Sequence, residues 1–339
     1  MSTTPKLVIG ANGFLGSHVA RRLVADGADV RAMVRRAANT VGIDDLPLTR
    51  YQGDIFDTDT LREAMDGCDA VYYCVVDTRS WLRDPSPLFR TNVEGLRNVL
   101  DVANMANLKK FVFTSSYTTI GRRRGHRATE SNGLVGRRLS PYVRSRVQAE
   151  AMVLKEAADA GLPAVAMCVS TTYGSGDWGR TPHGAIIAGA ALGKLPFVMS
   201  GVKLEAVGVD DAARAMILAA ERGRNGERYI VSERMITSAE VARIAAEAAG
   251  VPPPARSIPL PVSYSLAALG SFKARVRGTD ERLTLGTMRL IRAEAEVDHG
   301  KAVRELGWQP RPVEESIRSA ARFWVELAAK RRSEKSRKR

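Results

Sequence analysis

Three side chains in this sequence have the types and spacing that acid–base chemistry needs. Ser116 closes the run Phe111-Val112-Phe113-Thr114-Ser115-Ser116, and Tyr142 opens a helical stretch reaching Ala160, with Arg146 four residues on. Four-residue spacing puts the phenol and the guanidinium on one helix face. A phenol beside a fixed cation is a better proton donor, because the positive charge favours the phenolate. A second constellation is made of backbone. Gly10-Ala11-Asn12-Gly13-Phe14-Leu15-Gly16 follows the apolar Leu7-Val8-Ile9 and opens the stretch Ser17 to Asp26. A buried strand turning sharply into a helix presents unpaired N–H groups and the positive end of the helix dipole, and glycines let a phosphate approach them. The loop therefore reads as a pyrophosphate cradle. Its glycines are spaced three and three, not the commoner two and three, so its position carries the argument: it is the first strand-to-helix turn of a chain that alternates strands and helices.

The elements that must position these groups follow in order. Strand two, Asp29 to Val34, ends in Arg35-Arg36. An NAD site wants an acid there for the ribose hydroxyls and an NADP site a cation for the extra phosphate, so Arg35 points to NADP. Strand three, about Leu48 to Gly53, leads into Asp54-Ile55, where Asp54 is a candidate either for the adenine amino group or for a helix cap. The segment Thr58 to Asp66 reads as a helix capped by Asp57 or Thr58. Ala70 to Val76 reads as strand four, about Pro87 to Asn107 as one long helix, and Phe111 to Phe113 as strand five, delivering Ser116 to the sheet edge. Strand six, Ala164 to Val169, ends in Ser170, and the pattern then loosens through Gly174, Gly176, Gly179, Pro182 and Gly184. A strand at about 228–232 should return to the sheet, followed by a helix from about Ala239 to Ala249. The apolar segment from Pro259 to Phe272, followed at once by Lys273, Arg275 and Arg277, is expected to pack into the core of a smaller lobe, with rest on a membrane surface as the alternative. A last helix from about Pro312 to Lys330 should dock through Ile317, Ala320, Ala321, Phe323, Trp324 and Leu327.

The 339 residues, 45% hydrophobic and 26% charged, suit a soluble globular chain with one large domain and a smaller lobe. Cys68, Cys74 and Cys168 form no CxxC pair and read as thiols of a reducing cytosol; no metal site is expected. The start lacks a basic-then-apolar pattern, and no apolar run approaches the roughly 20 residues of a membrane helix. The expected location is cytoplasmic. Of the net charge of +14, residues 330–339 supply seven basic and one acidic residue. That tail reads as disordered, with a weak attraction to anionic membrane surfaces, and nucleic acid is not an expected partner. Arg122, Arg123, Arg124 and Arg127 form an internal basic cluster, read as an exposed loop that borders the site.

Taken together, the Gly10/Gly13/Gly16 loop, Arg35, Thr114-Ser115-Ser116, Asn92-Val93-Glu94-Gly95 and Tyr142 resemble the extended short-chain dehydrogenase/reductase family. Within it the branch of dihydroflavonol reductases and 3β-hydroxysteroid dehydrogenases is the most similar. Val209-Asp210-Asp211-Ala212-Ala213 and Leu306-Gly307-Trp308-Gln309-Pro310 extend the likeness to about residues 6–327. The resemblance implies an α/β fold: a Rossmann doubly wound parallel sheet over 1–175 with the returning strand, and a smaller C-terminal substrate lobe over 176–329. It implies that Ser116 polarises a substrate oxygen, that Tyr142 exchanges its proton, and that Arg146 holds the nicotinamide ribose. Gly10, Gly13, Phe14, Leu15 and Gly16 would line the pyrophosphate, Arg35 the adenosine ribose, and Asp54 and Ile55 the adenine. Cys74, Val75, Val76 and Ser170 would approach the nicotinamide half. Trp81, Tyr173 and Trp178 are candidate apolar walls for the substrate, and a homodimer through the helices at 87–107 and 142–160 is expected.

Two departures stand out. Ile9 replaces the usual threonine before the first glycine, and the family's Tyr-x-x-x-Lys reads Tyr142-x-x-x-Arg146. Arginine keeps the charge and several donors but cannot release a proton, so electrostatic assistance survives while a proton relay needs ribose hydroxyls or water. The expected activity is interconversion of a ketone and a secondary alcohol on an apolar, steroid- or dihydroflavonol-like molecule with NADP preferred over NAD. A sugar-nucleotide epimerase or dehydratase, and a non-catalytic dinucleotide-binding protein, stay open beside it.

Overall fold

The structure is a computed structural model, describing residues 4–122, 125–135, 139–292 and 296–337. The chain opens with β1 (Lys6–Ile9), α1 (Phe14–Ala25), β2 (Val30–Val34), β3 (Thr49–Gln52), α2 (Thr58–Met65) and β4 (Ala70–Tyr73). It continues through α3 (Ser86–Phe89), α4 (Gly95–Met105), β5 (Lys110–Ser116), α5 (Pro141–Asp159) and β6 (Ala164–Val169). Then come β7 (Thr171–Tyr173), α6 (Pro182–Ala191), β8 (Val198–Met199), β9 (Lys203–Gly208), α7 (Val209–Arg222) and β10 (Arg228–Val231). The last elements are β11 (Arg234–Thr237), α8 (Ser238–Ala248), β12 (Ser257–Ile258), α9 (Leu260–Arg277), α10 (Leu285–Arg292) and α11 (Val313–Arg337).

Two compact units divide the chain. The first holds residues 1–170, 210–232 and 295–309. Its seven strands pair in the order β10-β6-β5-β4-β1-β2-β3, every pair parallel. A parallel sheet covered on both faces needs strands that are apolar throughout, and β4 (Ala-Val-Tyr-Tyr) and β6 (Ala-Val-Ala-Met-Cys-Val) are buried at every residue. Ile9, Val71, Tyr73, Phe111 and Phe113 share one core cluster with α2, α4 and α5. The strand order reverses between β1 and β4, which is where an open α/β sheet binds ligands, outside the carboxyl ends of its strands. More chain returns to this unit than the strand expected near 228–232: most of α7 and residues 295–309 also belong to it. Trp308, fully buried, donates from Nε1 to the Asp211 carbonyl at 2.8 Å and so fastens one returning segment to the other.

The second unit comprises 171–209, 233–294 and 310–339. It has a three-stranded sheet, β11-β9-β7, a short parallel pair, β12-β8, and a core in which α6, α8 and α11 pack through Ile187, Ile244, Ile317 and Trp324. The docking stripe expected on the last helix is therefore present.

Several boundaries differ from the sequence reading, each for a local reason. Strand four stops at Tyr73 because β1 beside it ends at Ile9, leaving Cys74, Val75 and Val76 as the loop beyond the sheet. Strand five extends to Ser116, since Thr114, Ser115 and Ser116 find partners in Met167, Cys168 and Val169. The single helix expected at 87–107 is α3 and α4 joined by a π-type turn, Arg90–Glu94. The basic tail is helical through Arg337 where disorder was expected. Lysine, arginine and glutamate are good helix formers, and cations near a helix carboxyl end complement its dipole. The segment expected to bury itself after Pro259 forms α9, whose only buried residues are Ser263 and Ala267. Arg123, Arg124, Lys338 and Arg339 lie outside the described residues.

Candidate active site

The glycine loop has the backbone that its sequence requires. Gly10 adopts φ +82°, and a Cβ there would stand 2.9 Å from Val75 Cγ2. A Cβ on Gly16 would meet the Gly10 carbonyl oxygen at 2.2 Å, so α1 can start this close to β1 only with glycine at that place. The Gly13 N–H donates to the Gly10 carbonyl at 3.0 Å and closes the turn. Gly13 is the N-cap of α1, and no side chain caps the helix. The first-turn amides of Phe14, Leu15 and Gly16 are thus left to an outside acceptor, with the dipole's positive end behind them. Phe14 stands edge-on to His18 at 5.5 Å, and His18 Nδ1 lies 2.6 Å from Asp210 Oδ1.

On the β2 side of the switch point, Arg35 is exposed at the strand end and makes no ion pair among the described residues. Asp54 Oδ1 accepts from the Phe56 N–H at 3.2 Å, which spends one carboxylate oxygen on the turn. Ile55 is 7% exposed and packs where a Cβ on Gly95 would stand 2.2 Å from its Cδ1. The helix that follows is capped by Asp57, which accepts from Thr60 N–H at 3.1 Å. Beyond β4, Cys74 Sγ accepts from Thr114 Oγ1 at 3.7 Å, and Val75 and Val76 are half-buried.

Ser116 ends β5 and its Oγ lies 2.9 Å from Thr118 Oγ1; it also accepts from the Thr118 N–H, capping a short turn. Tyr142 is half-buried in the first turn of α5, whose start is fixed by Pro141 and by the Ser140 hydroxyl accepting from Val143 N–H. Arg146 is 1% exposed. Its Nη2 donates to the Thr114 carbonyl, and its guanidinium lies 5.0 Å from the centre of the Phe113 ring. Nε and Nη1 are buried without a partner, as are Ser170 Oγ and the Tyr73 hydroxyl. Burial of the Tyr73 phenol pushes its pKa up, only partly offset by Arg146. The structure thus draws Arg146 to the strand that ends in Ser116, two residues before it.

Behind these groups lies a buried layer that the sequence reading did not single out. Glu150, one turn after Arg146 and fully buried, accepts from the Ser115 hydroxyl, from Thr119 Oγ1 at 2.7 Å and from Arg228 Nη1 at 3.2 Å. Arg228 is itself 7% exposed and donates from Nη2 to the Glu130 carbonyl at 2.7 Å. The β5 end and α5 are therefore clamped together by a buried ion pair. Asn92, in the π-type turn, performs a similar task at the front: Nδ2 donates to the Asp77 carbonyl and to Ser145 Oγ, both at 3.0 Å, and Oδ1 accepts from Asp77 N–H at 2.7 Å. Ser145 Oγ in turn donates to the Tyr142 carbonyl at 2.8 Å. Asn92 was visible only as part of a motif. Glu150 carried a signal in its spacing, eight residues after Tyr142 on the same face. Asp77 is buried, which alone would raise its pKa, yet the Arg79 guanidinium bonded to it holds it below the usual carboxylate range.

The three candidate substrate walls fall in different surroundings. Trp81 is half-buried in the loop after β4. Tyr173 is 2% exposed in the core of the second unit, edge-on to His183 at 6.4 Å. Trp178 is half-buried and meets the Phe323 ring at 4.9 Å. Of the arginine cluster, Arg127 pairs with Glu296. Among the described residues no group of His, Cys, Asp or Glu is arranged to hold a metal.

Do these residues fit a dinucleotide? Buried polar atoms almost always have partners, and leaving one unmade costs about 1–3 kcal/mol. Arg146 Nε, Arg146 Nη1 and Ser170 Oγ offer unanswered hydrogen bonds of the kind a nicotinamide ribose and carboxamide complete, and the loop has no room for a Cβ at Gly10 or Gly16 while the first turn of α1 is left without a side-chain cap. The residues fit the group.

Comparison with known proteins agrees. A sequence model of the NAD dependent epimerase/dehydratase family matches residues 6–232. The chain is 30% identical, over 94% of its length and 93% of the relative, to a Synechocystis sp. protein named after dihydroflavonol 4-reductase. It is 28% identical to sterol demethylase protein B of Methylococcus capsulatus, over 94% of this chain and 98% of that one. The solved structure of gox2253 superimposes with a TM-score of 0.83 at 32% identity, covering 96% of this chain and 99% of the other. The chain belongs to the NAD dependent epimerase/dehydratase family and is an NAD(P)-dependent oxidoreductase of the extended short-chain dehydrogenase/reductase type.

Proposed function

We propose that the protein interconverts a ketone and a secondary alcohol on an apolar substrate of sterol-like or polyphenol-like character, with NADP as the preferred cofactor. The observation that carries this reading is the buried, half-satisfied guanidinium of Arg146 beside the strand that ends in Ser116. When bound, the nicotinamide cofactor supplies or accepts a hydride. Ser116 holds the substrate oxygen, Tyr142 gives or takes the proton at that oxygen, and Arg146 holds the ribose through Nε and Nη1 while its charge favours the phenolate. Because arginine keeps its proton, the phenol is reprotonated through ribose hydroxyls or water. The names of the two relatives, built on a dihydroflavonol and a sterol, support the substrate class.

Arg35, exposed at the strand end with no acid beside it in the sequence, supports NADP. The same reading includes a cytoplasmic homodimer formed through α4 and α5 and a weak attraction of the basic tail to anionic surfaces. Titration of the purified protein with NADPH and NADH, followed by loss of nicotinamide absorbance with steroid and flavonoid ketones, tests it. The expected result is tighter NADPH binding, reversed by Arg35→Asp, and consumption of NADPH by at least one ketone class. Tightly retained NAD with no net consumption would instead assign an epimerase or dehydratase.

A further inference from the structure

The helix α9 displays an apolar face that the described chain does not cover. Val262, Leu266, Leu269, Phe272 and Val276 are 47%, 38%, 66%, 67% and 67% exposed. At 100° per residue they fall within an arc of roughly 120°, the width of a stripe that a helix normally buries. The opposite side, with Ser263 and Ala267, is the side that packs on the protein, and α10 packs against α9 as well. Single exposed apolar residues need no explanation, but five in one stripe do.

The charges say what the stripe faces. Along α9 there are three cations, Lys273, Arg275 and Arg277, and no acid. Arg277 falls beside the stripe on one flank and Arg275 beyond Phe272 on the other, while Lys273 falls within the stripe near its Leu266 edge. Arg275 and Arg277 are exposed, and Lys273 pairs with Glu281 while 48% of its side chain stays in solvent. An apolar stripe edged by cations matches the boundary between acyl chains and anionic headgroups, in which such helices lie in plane. No helix among the described residues is long and apolar enough to cross a bilayer, so contact in the plane is the form open to it. A second copy of the chain is a poorer match. Self-association through this face would set the same cations against each other in a protein already at +14.

We propose that α9 is a membrane-docking helix that seats this protein on an anionic lipid surface, burying Leu269, Phe272 and Val276 at the headgroup boundary. This does not depend on the catalytic reading, and it assigns the main attachment to α9, with the basic tail adding only a weak attraction.

The test uses the full chain and vesicles of phosphatidylglycerol with phosphatidylcholine, compared with phosphatidylcholine alone. Phe272→Trp should show a blue-shifted emission on anionic vesicles. Sedimentation with them should fall by about tenfold or more in Leu269→Glu/Val276→Glu, consistent with the apolar and charge contributions of interfacial helices. Neutralising Lys330, Arg331 and Arg332 to Gln should leave most of the binding in place. The proposal fails if no vesicle binds, if Leu269→Glu/Val276→Glu binds as wild type, or if the tail variant alone abolishes binding. It also fails if Leu269→Glu/Val276→Glu changes only a monomer–dimer equilibrium in light scattering, which would assign the stripe to a second copy.

Discussion

Arg146 concentrates what is unusual in this site. In a lysine-bearing site the ammonium is a compact point charge; here a planar group is held at one end by the Thr114 carbonyl and rests on the Phe113 ring, with two nitrogens left unanswered. That geometry fixes the charge in place without chain entropy to spend at each turnover. Tyr142→Phe should lower kcat by about 10²–10⁴-fold, the usual worth of a positioned acid, while NADPH binding changes little. Arg146→Met should weaken NADPH binding as well as kcat, because it removes ribose donors and charge together. Measured by stopped-flow hydride transfer and fluorescence titration, the two variants thus separate proton exchange from cofactor holding. Equal losses of affinity in both would show that the phenol serves binding instead. The common placement of Tyr142 and Arg146 on one helix was legible in the sequence, because a Tyr-x-x-x-Arg spacing on a helix dictates a shared face whatever surrounds it. What the sequence could not give was the partner of each guanidinium nitrogen, which depends on where β5 ends.

At the scale of elements, α5 and β5 form one mechanical part. Glu150 joins them by accepting from Ser115, Thr119 and Arg228, all in a region closed to water. Removing one partner of a buried pair leaves an uncompensated charge and costs about 3–5 kcal/mol, whereas replacing both by apolar groups is often neutral. Glu150→Gln is therefore expected to lower Tm by on the order of 10 °C. The double variant Glu150→Met/Arg228→Met should recover most of that loss, a pattern that scanning calorimetry reads directly. An unchanged Tm in Glu150→Gln would mean that the layer does not hold the two elements. The sequence hid this layer for a physical reason: an acid on a helix reads as a solvated face until the burying strand is known, and Arg228 comes from a segment that returns to the sheet far along the chain. The same limit applies to α9, whose apolar residues read as core in the sequence and are left exposed by the fold. The π-type turn at Arg90–Glu94 escaped notice too, since it is set by Asn92 reaching the backbone of Asp77 and not by any local propensity.

For the whole molecule, the chain passes between its two units five times, so neither unit is a contiguous fragment and their stabilities are best probed in the intact protein. Acid offers such a probe for the second unit. His183 is half-buried with its Nδ1 sealed and unpartnered, and burial pushes its pKa down from 6.5 to about 4. The folded state therefore binds its proton less readily than the unfolded one. Stability attributable to His183 is full above pH 6.5 and is lost as pH falls towards about 4. At about 1.36 kcal/mol per pKa unit, and allowing for the partly exposed ring, the loss approaches roughly 2 kcal/mol. Other groups in the unit act elsewhere. Burial raises the Asp177 pKa against its bonds from Thr181, an effect of opposite sign that the variant and the wild type share. Glu240 and Glu314 are lifted by burial but held below their ordinary range by Arg234, so their contribution disappears only below the ordinary glutamate range. Between about pH 6.5 and pH 5 His183 contributes in the same sense as His299, which burial also lowers, so the difference between variant and wild type isolates His183. His183→Phe removes the titrating ring and the orphaned nitrogen while keeping an aromatic edge for Tyr173. Its urea midpoint should then vary less with pH than that of the wild type across that interval, with equal slopes above it. Parallel slopes throughout would show that His183 is protonated in the folded protein as easily as in the unfolded chain.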